Sequence, residues 1–342
     1  VVALSFVLPF SGMLFSSPVV AQDKAAPEAI TDAQQGFDGQ TNPRSNYWRA
    51  VREGVSGYST VKGTDANVLI NNGGQNWRAT RNGPIFYWGW ILLAAAVAGI
   101  ALFWLLRGRI KLEHGRSGVK IKRWGGVTRL LHWLTAITFI LLAATGLSLF
   151  YGRAVMIPLI GKDAFAAWAG LAKLIHIYVG PVFAATLVLL LLLLVVKNIP
   201  NGRDLKWFLK GGGMIGKSHP SAGFMNGGEK VWYWLLATVG LAVVLSGLAM
   251  NFLTDLSRTD SQLAMTVHAI GSIVIMAVSL GHIYIGTAGT EGALEGMTTG
   301  EVDINWARQH HDAWVDELER KGKVQSPATQ GAPGGAAPAV GD

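Results

Sequence analysis

Four histidines stand inside stretches that are otherwise apolar: His132 in RLLHW, His176 in KLIHIYVG, and His268 and His282 in QLAMTVHAIGSIVIMAVSLGHIYIG, residues Gln262–Gly286. Ionisable groups in segments of that kind are rare and normally have a task. The last two are separated by 282 − 268 = 14 positions. That is close to four whole helical turns, so both rings leave one face, about 21 Å apart along the axis. A neutral imidazole in such a place is a metal ligand, a step in a proton path, or a hydrogen-bonded interfacial residue.

The elements that must carry these rings are five apolar stretches, Ile85–Leu106, Thr128–Phe150, Leu171–Val196, Val231–Leu253 and Gln262–Gly286. Each is long enough to cross a bilayer as a helix. The connections after the first and third are dense in Lys and Arg (RGRIKLEHGRSGVKIKRWGG, then Lys197, Arg203, Lys206, Lys210, Lys217 and Lys230). Those assigned to the other side, Tyr151–Gly170 and Thr254–Ser261, hold only Arg153, Lys162 and Arg258. Basic loops stay inside, so the first helix runs from outside to inside. Much of the formal charge of +8 is therefore topological, and no nucleic-acid site is read from it.

Sorted by depth, the histidines form two pairs, His176 with His268 on the outer side and His132 with His282 on the inner side. Two neutral imidazoles facing each other across a helix bundle are the axial ligands of a low-spin b-type haem, which has no open coordination position and passes electrons. Zinc competes weakly, because the pairs lie too far apart to share one ion; a haem-free histidine proton relay is the stronger rival, though no matched pair of Gly/Pro-interrupted segments marks a transporter. Gly180, Gly271, Ser272 and Gly281 leave room near the rings, a use small residues share with plain helix packing. Arg129, three positions before His132, is placed to meet a haem propionate or to serve as a topology charge.

Composition agrees with a membrane protein: 342 residues, half of them hydrophobic, and only 15% charged. The chain has no cysteine, which excludes iron–sulfur clusters, thiolate zinc, disulfides and covalently attached c-type haem. The expected fold is an all-α membrane protein, a four-helix di-haem cytochrome b bundle with one additional N-terminal transmembrane helix. Its expected organisation is a signal peptide over 1–21, an exported polar segment over 22–84, the extra helix over 85–106 and a basic cytoplasmic linker over 107–127. The four-helix domain then spans 128–286, a cytoplasmic tail 287–324 and a disordered tail 325–342. Within the polar segment NYWRAVREG reads as a short helix, and NVLINNGGQNW as an extended piece and a turn. Asp303–Lys321 reads as an amphipathic helix with Trp306, Trp314 and Leu318 toward one side. His114, His219, His310 and His311 are assigned to solvent or tail packing.

From about Lys122 to Arg320 the chain resembles the cytochrome b (gamma) subunit of membrane-bound respiratory formate dehydrogenase. The shared motifs are R-x-x-H-W at Arg129–Trp133, Leu-Ile-His at His176, His-x13-His in the last helix, NIP at Asn198–Pro200, N-x-G-[QE]-K at Asn226–Lys230, and W-A-x-x-H-H-x-x-W at Trp306–Trp314. The resemblance implies two haems b, held by His176/His268 and His132/His282, and a quinone (menaquinone or ubiquinone) that binds at the inner haem beside His282, Asn226 and Gly228 and is reduced there. Asn226 also suits a helix N-cap. It implies an iron–sulfur beta subunit and a molybdenum or tungsten catalytic alpha subunit as partners, with formate oxidised there, and a bacterial inner membrane around the chain. A cytochrome b anchor for another periplasmic dehydrogenase, such as a hydrogenase, shares the same ligands.

Overall fold

The computed structural model describes Arg52 and residues 73–213, 220–253 and 256–324. The expected signal peptide, most of the exported segment including its short helix, and the terminal tail lie outside these residues. In the first unit, 1–78, a turn at Gly73 (φ 73°) is followed by helix from Gly74, so GQNW is helical where a turn is expected. Everything below concerns the second unit, 79–342.

Five helical stretches are long and apolar enough to cross a membrane. We number their main helices α1 (Phe86–Arg107), α2 (Gly126–Val155), α3 (Lys162–Leu194), α4 (Gly227–Phe252, with a π-helical turn at Leu236–Gly240) and α5 (Arg258–Tyr284). α2 lies along α3, α4 along α5, and α1 packs on α5. The bounds overrun the apolar stretches because a helix continues through polar residues once its hydrogen bonds are formed. The clearest case is α3, which starts nine residues before Leu171. The expected loop Tyr151–Gly170 is mostly helical, with the short helix Ile157–Ile160 and one sharp corner at Gly161 (φ 82°). The Ala-rich run KDAFAAWAG, with Asp163 in the first turn, favours that early start.

Many large side chains of the spans face outward, among them Leu105, Leu106, Leu189 and Leu192, as lipid-facing residues do. α1 is the least enclosed, and touches the bundle where Gly89 lets Ile273 and the Tyr151 hydroxyl approach. The tightest apolar centre joins Phe183, Ala184, Leu187 and Leu191 of α3 to Tyr233 and Val244 of α4. Tyr233 satisfies its hydroxyl by donating to the Leu191 carbonyl at 2.9 Å.

At the end rich in Lys and Arg the chain builds a second core. Strand β1 (Lys120–Lys122) pairs antiparallel with β2 (Glu301–Asp303), with Ile121 opposite Val302. Helix α6 (Ile304–Arg320) follows. Its side chains Trp306, Ala307, Trp314 and Val315 bury against Leu112, Ile121 and Val302. Asp303 caps α6 by accepting from the Asn305 N–H at 2.8 Å, and it also accepts from Gly118 N–H and the Ser117 hydroxyl. Burial alone would raise its pKa; these donors hold the carboxyl below its ordinary value. The linker and the tail are thus one folded cap.

Candidate functional site

The two histidines of α5 face different helices. His268 meets His176 of α3 with ring centres 6.1 Å apart, and His282 meets His132 of α2 at 6.3 Å. Two imidazole nitrogens bonded to one metal from opposite sides, at about 2.0–2.1 Å each and about 1.1–1.2 Å from nitrogen to ring centre, set the centres about 6.2–6.6 Å apart. Both pairs therefore have the spacing of rings that bracket a single iron. Among the described residues no group of three or more His, Cys, Asp or Glu converges, so each place offers two ligands rather than the four of tetrahedral zinc.

The His176/His268 pair is held from behind. His268 Nδ1 lies 2.9 Å from the Val243 carbonyl, which can only accept, so Nδ1 carries the proton and Nε2 keeps its lone pair. His176 Nδ1 lies 2.9 Å from Thr145 Oγ1, and that hydroxyl spends its own proton on the Leu141 carbonyl at 2.8 Å. Two glycines seat the rings. A Cβ on Gly247 would stand 2.9 Å from His268 Cε1, and one on Gly146 would stand 3.3 Å from His176 Cε1. Sequence reasoning missed this set. Its signal is a repeat, a hydroxyl followed by Gly-Leu, in Thr145-Gly146-Leu147 and Ser246-Gly247-Leu248; Ser246 Oγ lies 3.4 Å from His268 Nδ1.

The His132/His282 pair is held differently. His132 Nδ1 is buried without a hydrogen-bond partner among the described residues. The His282 ring stacks on Trp232 of α4 (centres 5.1 Å apart, planes 17° apart), an aromatic wall that no sequence motif singles out. Gly180 and Gly281 have nothing within 4 Å of where a Cβ would stand, which suits the flat edge of a porphyrin between helices. Gly271 instead makes room for Val243 and Val239, a packing role.

Arg129 is bound to the tail. Its Nη1 donates to the Thr298 carbonyl at 2.6 Å, and Trp133, one turn on, donates to the Met297 carbonyl at 2.9 Å. Both carbonyls end the short helix Glu295–Thr298, where the partial negative charge of a helix terminus gathers. Arg129 Nε is buried with no partner among the described residues. Asn226 is an N-cap: Oδ1 accepts from the Glu229 N–H at 2.9 Å, and Glu229 Oε2 accepts from the Asn226 N–H at 2.8 Å. A Cβ on Gly228 would stand 3.1 Å from the Trp207 ring, so indole packing already accounts for that glycine.

Behind the cap lies a buried cation. Arg123 donates to Glu229 Oε1 at 2.9 Å and to the Phe224 carbonyl at 3.1 Å, among the rings of Trp124, Phe224, Trp306 and Trp314. His311 is 1% exposed, and its Nδ1 donates to the Gly223 carbonyl at 2.8 Å. Burial first, and the Arg123 charge second, hold its pKa well below the ordinary histidine value. Chain segments that the sequence reading treats separately thus converge beside Asn226.

Residues 123–300 match the prokaryotic cytochrome b561 family. The chain is also similar to named subunits. The cytochrome b556(Fdn) subunit of nitrate-inducible formate dehydrogenase from Escherichia coli (strain K12) is 24% identical over 200 residues, 57% of this chain and 89% of that protein. The formate dehydrogenase cytochrome b556 subunit of Haemophilus influenzae (strain ATCC 51907 / DSM 11121 / KW20 / Rd) is 27% identical over 211 residues, 59% of this chain and 84% of that protein. The cytochrome b556(fdo) subunit of E. coli (strain K12) is 25% identical over 205 residues, 58% of this chain and 94% of that protein.

Proposed function

The chain belongs to the prokaryotic cytochrome b561 family, and from that premise we propose that it is the membrane cytochrome b subunit of a formate dehydrogenase, carrying two haems b and delivering electrons to quinone. The family implies haem b in a multi-pass membrane protein. The observation that carries the finer reading is the pair of imidazole couples at 6.1 and 6.3 Å, all four rings inside the matched stretch. His176 with His268 would hold one haem and His132 with His282 the other. Bound there, a haem supplies reversible one-electron transfer without an open coordination position.

The chain's own residues do the rest. Val243 and Thr145 present the Nε2 lone pairs of the outer rings, and Trp232 sets the plane of His282. Arg129 Nε is the donor assigned to a propionate. The basic end faces the cytoplasm in this reading, and quinone is reduced there. The His282 side chain makes no hydrogen bond among the described residues, so its Nδ1 can donate to a quinone carbonyl, and Asn226 keeps its Nδ2 for the same use while Oδ1 caps α4. Gly228 lets the chain pass close to Trp207 at that corner. With no cysteine of its own, the chain needs an iron–sulfur beta subunit as donor and a molybdenum or tungsten alpha subunit for formate on the far side of the bacterial inner membrane.

Purified membranes should show reduced-minus-oxidised b-type absorption with two haems per chain, reduced by formate in the complex and reoxidised by quinone. His268→Ala should remove one haem of two. A chain without haem ends this reading, and reduction by hydrogen in place of formate would assign it to a hydrogenase.

A further inference from the structure

We propose that the hydrogen bonds behind the outer imidazoles make the His176/His268 haem the lower-potential one, so that transfer to the His132/His282 haem runs downhill. The inference rests on the ligand reading above and adds an order of potentials that the residues themselves set. Thr145 is the side chain through which it can be tested.

An N–H that donates from the far side of an axial imidazole gives the ring partial imidazolate character, makes it a stronger donor to iron and favours the ferric state. The strength of that effect follows the acceptor. His268 Nδ1 donates to a backbone carbonyl at 2.9 Å, and His176 Nδ1 to a hydroxyl whose own proton is committed at 2.8 Å. Both outer ligands are therefore strengthened. In the quinone-free chain neither inner ligand is: His132 Nδ1 has no partner among the described residues, and His282 is set by a stacked indole. A stacked ring orients an imidazole without taking its proton.

Neighbouring charge does not supply the same asymmetry from the ligand helices. Arg129 stands three residues before His132, and Lys173 three residues before His176. The Lys- and Arg-rich connections at the His132/His282 end act in the same direction as the bonds behind the rings, and Thr145 is where those bonds can be changed without changing charge. Each electron passed takes the outer iron from ferrous to ferric and the inner iron from ferric to ferrous, with the reduced iron–sulfur partner as the source.

The test is a spectroelectrochemical titration of the purified full chain, followed by Thr145→Val, which keeps the shape and removes the acceptor. Two one-electron components are expected in the parent chain. Thr145→Val should raise the lower midpoint toward the upper one, leave the upper unmoved and keep two haems; Thr145→Ser should restore the parent value. Single ligand variants fix the assignment without relying on Thr145: His268→Ala should delete the lower component and His132→Ala the upper. Two retained haems with an unmoved lower midpoint, or His268→Ala deleting the upper component, overturns the proposal while leaving the ligands as assigned. A parent chain that binds no haem overturns the ligand reading itself.

Discussion

Substituting Gly247 by alanine puts a single methyl group against the ring of His268. The added carbon would stand 2.9 Å from Cε1, 3.2 Å from Nδ1 and 4.0 Å from Nε2. Carbon contacts are comfortable at about 3.5–4.0 Å, so the ring has to retreat by about 0.6 Å or more at Cε1. It cannot do so and still serve iron, since ligand distances tolerate only about 0.2 Å. Its bond to the Val243 carbonyl resists the same motion. Overpacking of this kind costs about 1–3 kcal/mol, and at about 1.4 kcal/mol per tenfold the outer haem should bind roughly 5- to 150-fold more weakly. The helix itself does not suffer, because Ala is favoured over Gly in a helix interior by about 0.8–1.0 kcal/mol. The assay is haem per polypeptide after detergent washing, which should fall from two toward one with the His132/His282 haem retained. Gly99→Ala, whose Cβ meets nothing within 4 Å, is the matched control and should keep both. A Gly247→Ala protein that holds two haems with parental midpoints would refute the placement of the ring.

Three further outcomes follow from the basic end. Asn226→Asp keeps a capping oxygen and should leave thermal stability close to the parent, while loss of the amide donor lowers quinone turnover; Asn226→Ala should add a stability loss of about 1 kcal/mol. Equal turnover in Asn226→Asp and the parent would remove the amide from the quinone site. Arg123→Met strips a buried cation from Glu229 and the Phe224 carbonyl, a change of about 3 kcal/mol before allowing for the partly exposed carboxylate, and should speed proteolysis of the tail without lowering haem content. His311 is neutral in the folded cap, with its pKa well below the unfolded value of about 6.5. The folded state therefore binds fewer protons, and cap stability, complete above that value, is lost as pH falls below it. Hydrogen exchange in α6 between pH 7.5 and 5.5 should show the loss, and His311→Gln should flatten it; an equally steep dependence in that variant would point to another group.

The pairing of the histidines was legible because helical period and charge asymmetry are local properties of the chain. The residues behind them were not. Thr145, Gly146, Ser246 and Gly247 are small residues in apolar runs, where packing is their usual use, and only the facing ring reveals otherwise. Arg129 illustrates a second limit: its carbonyl partner at Thr298 lies 169 positions away, and no periodicity reports such a contact. The same holds for Arg123 and Glu229, 106 positions apart. Asn226 was readable as a cap from N-x-x-E, whereas Gly228 needed the sight of Trp207. The early start of α3 shows that hydropathy marks where a helix meets lipid, not where its hydrogen bonds begin.

The short ladder between Lys120–Lys122 and Glu301–Asp303 fastens the two ends of a segment that contains all four imidazoles. Closing a loop of that length carries an entropic cost that grows only slowly with length, so a few strand contacts and the aromatic box suffice to latch it. The latch also has an order built in. Its second half emerges from the ribosome only after the last span, so it closes on a bundle whose insertion is already complete. A chain cut short before Glu301 would leave Ile121 and Arg123 uncovered, exposing a marker of unfinished assembly to quality-control proteases.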